Sequence, residues 1–169
     1  EGGRVGRPDV LVRFTKAQAA THTYVPVDIK RHKTLSDSRE SSPPALISTL
    51  TAPALQDAMA IAAVTTRRQE RDAMQLAHYW RMLQSAGRAQ AIDAIGGIIG
   101  TDELDGDLVI VWRDLEDPIF RTFSRSSADG FAMRSAMQRY DHEFLFRSQV
   151  AASARQRVGA PTDPEPVVV

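Results

Sequence analysis

Apolar and polar positions along this chain fall into two periods, and the period changes from segment to segment. Val10-Leu11-Val12-Arg13-Phe14 is a short β-branched and aromatic run behind a proline, which is tolerated where a strand begins. In Tyr24-Val25-Pro26-Val27-Asp28-Ile29-Lys30, the residues Val25, Val27 and Ile29 alternate with Pro26, Asp28 and Lys30, the period-two pattern of a strand. The polar connection between these runs is too short for a helical crossover, so the two strands are expected to form a hairpin.

Residues 34–44, with four serines and two prolines, read as a flexible loop. From Pro53 onward Leu55, Ala58, Met59, Ala62 and Ala63 follow helical spacing and predict a first helix. A clearer one is predicted over residues 69–85, with Leu76, Tyr79, Trp80 and Leu83 as its apolar stripe and Gly87 as its stop. The glycines of Gly96-Gly97-Ile98-Ile99-Gly100 imply close backbone packing before a short strand at Ile98-Ile99. They lack the spacing and downstream acid of a dinucleotide fingerprint. After an acidic turn at residues 101–107, Leu108-Val109-Ile110-Val111-Trp112 is the strongest buried-strand candidate. A last helix is expected from residue 128 or 130 to 154, capped by Asp129, with Met133, Met137, Tyr140 and Phe144 on one stripe. The proline-containing residues 158–169 read as an extended tail. The pattern as a whole predicts an α/β fold.

Composition narrows the chemistry. The 169 residues suffice for one domain with a core. Basic and acidic residues balance at 21 each, which argues against general avidity for nucleic acid but allows a local basic patch. The best such cluster is Arg31 and Lys33 with Arg13 and Lys16. Without cysteine there is no disulfide, thiolate nucleophile or iron–sulfur cluster. No apolar run is long enough to cross a bilayer and nothing reads as a signal peptide, so no membrane association and a cytoplasmic location are expected. His22, His32, His78 and His142 lack metal-ligand spacing and read as surface or local hydrogen-bonding residues.

The candidate chemistry lies on the two N-terminal strands. Period two puts the Asp28 carboxylate and the Lys30 ammonium on one face, ~7 Å apart along the strand. Asp9 stands at the start of the preceding strand, and pairing would bring the two carboxylates together. Such a pair repels unless a positive charge sits between them, and Mg²⁺ or Mn²⁺ is the economical partner because it takes oxygen ligands and keeps several waters. Lys30 could then orient or deprotonate a water, or stabilise charge on a phosphate. Gln75 and Tyr79, four apart on a helix, present an amide and a phenol on one side. Each element alone is ordinary: Asp-x-Lys is the pattern of a solvated surface pair, Pro-Asp a turn, Gln75 helix surface and Tyr79 core.

Together Gly6-Arg7-Pro8-Asp9-Val10-Leu11-Val12, then Val25-Pro26-Val27-Asp28-Ile29-Lys30, then Gln75-Leu76-Ala77-His78-Tyr79, resemble the RecB-like branch of the PD-(D/E)XK nuclease superfamily. The resemblance is closest to the RecB-like nucleases of actinobacteria, in which such a domain precedes an RNase H-like domain. It implies a mixed central sheet flanked by helices, a restriction-endonuclease-like core, occupying residues 1–157. It further implies Mg²⁺- or Mn²⁺-dependent cleavage of DNA, single-stranded or at ends, in DNA repair, with a downstream RNase H-like or helicase module as partner. By that resemblance Asp9, Asp28 and the carbonyl of Ile29 hold metal, Lys30 positions the attacking water, and Gln75, Tyr79, Arg31 and Lys33 bind substrate. The family's upstream acidic helix would precede Glu1, and the iron–sulfur cluster of some relatives is not expected. The alternatives are an inactive nuclease fold that binds nucleic acid or serves in assembly, and an α/β interaction domain without nucleic acid.

Overall fold

A computed structural model describes residues 3–14, 22–89 and 93–157. The predicted tail and most of the connection between the first two strands lie outside these residues. Within them the fold is α/β, with a mixed six-stranded sheet, two short two-stranded ribbons and two helices.

β1 (Val10–Phe14) and β2 (Thr23–Ile29) pair antiparallel, with Val10 opposite Val27. β2 then runs parallel to β7 (Ile95–Leu104), which turns back into β8 (Asp107–Asp114). β4 (Ala45–Thr49) and β5 (Met59–Ile61) complete the order β1-β2-β7-β8-β4-β5. One ribbon joins β3 (Leu35–Asp37) to β6 (Val64–Thr66), and the other joins β9 (Phe120–Phe123) to β10 (Phe131–Arg134). The helices are α1 (Glu70–Ser85) and α2 (Ala136–Arg157).

Alternation along β2 divides the core. Val25 and Val27 join Val12, Ile110 and Trp112 on one face of the sheet, under Leu55 and Ala58. The other face is covered by α1, whose Ala73, Leu76, Ala77 and Trp80 pack with Ile98, Leu115, Phe120 and Met137. Asp28 pairs in register with Ile98 and so lies beneath α1 instead of facing solvent. Further along that face, Val109 and Val111 of β8 are covered by Leu35 and Val64 of the β3–β6 ribbon. Helix and ribbon thus share one side of the sheet and meet at Gln69, the N-cap of α1.

The close approach implied by the glycines is present. A Cβ on Gly97 would stand 2.8 Å from Ile110 and 2.9 Å from Val27, and one on Gly96 would stand 3.0 Å from Leu76. α1 ends as expected, with Gly87 at φ 66° and the Arg88 amide donating to the Leu83 carbonyl.

Four local expectations are corrected. Residues 53–63 are not a helix: one 3-10 turn, Leu55–Asp57, precedes the edge strand β5, which β4 captures by pairing Ile47 with Met59. Residues 34–44 are not all loop, because β3 finds β6 as a partner. The acidic turn is shorter than expected, since β7 continues to Leu104 and only Asp105 and Gly106, both at positive φ, form the reversal. The last helix starts at Ala136, and Met133 belongs to β10. Its cap is Ser135, whose hydroxyl accepts from the Gln138 amide while Gln138 Oε1 accepts from the Ser135 amide. Asp129 accepts from the Phe131 amide in the preceding turn.

Candidate active site

The hairpin brings the two acids together. Asp9 Oδ2 accepts from the backbone amide of Ile29 at 2.9 Å, which holds its carboxylate beside the end of β2. That hydrogen bond, followed by one shared with Asp28, keeps the Asp9 carboxyl below the ordinary aspartate range. Asp28 is only 2% exposed. Burial pushes its carboxyl above the ordinary range, and proximity to Asp9 adds to the rise against the opposing effect of Lys30. Two adjacent carboxyls driven in opposite directions are the signature of like charges crowded into one site.

Lys30 leaves β2 on the same face. Its ammonium stands 2.5 Å from Asp28 Oδ2 and 3.9 Å from Asp72 Oδ1, and donates to Gln75 Oε1 at 2.8 Å. Burial works against the ammonium, but Asp28, Asp72 and Tyr79 together outweigh it and hold the Lys30 pKa above that of an ordinary lysine. Lys30 is therefore a fixed cation at neutral pH and a donor, not a base. Gln75 Nε2 donates to the Tyr79 hydroxyl at 2.8 Å, so residues 9, 28, 30, 75 and 79 form one connected polar cluster.

Two of its members are not evident from the motifs. Asp72, buried under the ribbon side of α1, contacts Lys30 and also His32, whose Nε2 lies 2.9 Å from Asp72 Oδ2. The signal for Asp72 is its position three residues before Gln75, on the same helix face. His32 gives no such signal, because it reaches the site through the loop after β2. Arg31 and Lys33, expected at the substrate, are exposed on that loop, and Lys33 is engaged through its carbonyl, which accepts from Gln69 Nε2. Arg13 contacts His22 at the far end of the hairpin. Ile29 closes β2 with its amide on Asp9 and its side chain exposed.

Asp28 Oδ2 is buried without an aligned hydrogen-bond donor, since the Lys30 contact is an ion pair outside hydrogen-bonding angles. Two neighbouring carboxylates, the buried one already held by Lys30, offer the hard oxygen donors that suit a divalent cation. Among the described residues no three His, Cys, Asp or Glu side chains gather round one point, so the acidic ligands on offer there are the two aspartates. The site's segment before Asp9 is pinned across the helices. His78 lies 2.7 Å from the Tyr140 hydroxyl and 3.0 Å from the Val5 carbonyl, and the Arg4 guanidinium sits over the Phe144 ring.

No protein-family model, no curated protein and no solved structure matches this chain.

Proposed function

We propose that this chain is a metal-dependent nuclease domain with a restriction-endonuclease-like core, of the RecB-like PD-(D/E)XK kind, which hydrolyses DNA phosphodiester bonds. The observation that carries the reading is Lys30: its ammonium joins Asp28, on a strand, to Gln75, on a helix and 45 residues beyond Lys30 itself. Three motifs that are weak apart converge on one point, and an ordinary surface Asp-x-Lys pair would not be found beneath a helix.

In this reading Asp9, Asp28 and the Ile29 carbonyl hold Mg²⁺ or Mn²⁺, which when bound supplies Lewis-acid charge at the phosphate and a water of lowered pKa. Lys30, kept protonated, orients the attacking water and stabilises the charge that develops on the phosphate. Gln75 fixes the ammonium by accepting one of its protons. Tyr79 accepts from Gln75, so its own hydroxyl proton is available to a phosphate oxygen. Asp72 positions Lys30 and His32 from behind.

The test is cleavage of single-stranded, double-stranded and flapped DNA with Mg²⁺ or Mn²⁺. Lys30→Ala is expected to lower the cleavage rate by ~10²–10³-fold, the usual loss for one transition-state donor, while retaining most DNA binding. Undiminished cleavage by Lys30→Ala would refute the assigned role. Wild-type binding without cleavage under either metal would favour a binding or assembly module instead, and neither binding nor cleavage would favour an interaction domain without nucleic acid.

A further inference from the structure

Beside the candidate active site, the β3–β6 ribbon and the end of β8 enclose two cavities of about 690 Å³ each, which share Ser42, Thr65, Thr66, Arg67 and Arg68 and so form one trough. We propose that this trough is the path of a single-stranded nucleic acid, held by its phosphates on Arg39, Arg67, Arg68 and Arg113.

The outer half is lined by Arg39, Arg67 and Arg68 with serine and threonine hydroxyls, against one carboxylate, Asp37. Arg67 donates through Nε to the Leu35 carbonyl at 2.7 Å, which fixes its stem on the ribbon and leaves its two terminal nitrogens for other acceptors. Among the described residues no carboxylate stands within ion-pair distance of Arg39, Arg67 or Arg68.

The inner half supplies an independent observation. Arg113, on the wall of the second cavity, is 7% exposed, yet among the described residues no carboxylate stands within ion-pair distance of it. Its Nη2 donates to Gln69 Oε1 at 2.8 Å, and among the described residues its Nε has no acceptor. Asp72 acts on it only from beyond ion-pair distance, and a buried guanidinium so weakly compensated is costly unless it serves an anion. The lining of this cavity also includes Asp93, Asp114 and Asp117, which would repel a polyanion and favour its lying along the arginines. Its apolar lining, which includes Leu46, Ile119 and Phe120, can accept bases. Each cavity has the volume of a small-ligand site, room for a nucleotide and not for a duplex.

The trough also points the right way. Gln69, which holds Arg113, caps α1, and Asp72 and Gln75 follow within two turns of the same helix. A strand lying on the ribbon would therefore be delivered to Lys30. That direction rests on the nuclease reading, whereas the binding surface does not.

The experiment is fluorescence anisotropy of a labelled oligothymidine of about twelve nucleotides, titrated in EDTA so that no cleavage occurs. Wild type should bind with an affinity that falls steeply with salt. Arg39→Ala and Arg68→Ala, both at exposed positions, should each weaken binding several-fold and reduce the slope of log K against log salt by about 0.7. Arg113→Met should weaken it further, while Arg147→Ala, on α2 and outside the trough, should change nothing. The proposal is overturned if wild type does not bind, if the ribbon variants bind with an unchanged slope, or if a duplex of the same length binds as tightly. Ribbon-dependent binding without cleavage in Mg²⁺ would count against the nuclease reading alone.

Discussion

At the scale of single residues, the site is built on opposed titrations. Asp9 is held ionised by the Ile29 amide, and Asp28 is driven toward its neutral form by burial beneath α1. A carboxyl whose pKa is raised on folding favours the folded state less as it ionises. In the metal-free protein Asp28 therefore costs stability as pH rises from the ordinary aspartate value through its own raised value. A divalent cation should cancel that cost only where the carboxylate is ionised. The expected outcome is a Mg²⁺-induced rise in Tm that is absent at acid pH and grows across this window, read by thermal melts with Mg²⁺ and with EDTA. Asp28→Asn should remove both the pH dependence and the metal response. A metal response of the same size in Asp28→Asn would show that the cation binds elsewhere.

At the scale of elements, the close passage of β7 across β2 and β8 sets where the site can form, because it seats the end of β2 beside β7 and beneath α1. Gly97→Ala should destabilise by about 1–3 kcal/mol, since the new Cβ would lie 2.8–3.0 Å from Ile110, Val27 and Trp112 in a packed core. Urea unfolding with an unchanged m value is the check. Ser135→Ala should cost about 1 kcal/mol by removing the capping box of α2. These elements were unequally legible. The hairpin and α1 could be read because alternation, the helical stripe and Gly87 all agree with the tertiary structure. Residues 53–63 could not, because alanines at helical spacing state a preference of a few tenths of a kcal/mol that the free edge of β4 overrides. The start of α2 was legible in Ser135-Ala136-Met137-Gln138, but the apolar spacing through Met133 hid it. Asp9, Asp28, Lys30, Gln75 and Tyr79 were readable because motifs are local. Asp72 and Arg113 were not, since an aspartate in a charged run and an arginine ending a buried strand acquire meaning only when the ribbon and α1 close over the same face.

At the scale of the whole molecule, Arg113 sets stability against binding. Burial lowers its pKa to about 10, with Asp72 opposing the fall. A cation whose pKa drops on folding burdens the folded state wherever it is charged, so the cost is fully present at neutral pH and eases as pH rises through about 10. At about 1.4 kcal/mol per pH unit the burden is of the order of a few kcal/mol. Arg113→Met keeps the length and apolar stem, removes the charge, and gives up one hydrogen bond to the half-buried Gln69. The variant is expected to be more stable than wild type by about 1–3 kcal/mol at pH 7, as when buried charges are replaced by apolar residues of similar volume. The difference should shrink above pH 10, and it should also shrink at pH 7 when oligothymidine is added, because only the wild type gains from the anion. Thermal melts of both proteins with and without the oligonucleotide decide the matter. A variant less stable than wild type in every condition would mean that Arg113 is a structural strut tied to Gln69. A more stable variant that no longer binds would mean that the fold carries this arginine at a cost for the sake of its ligand.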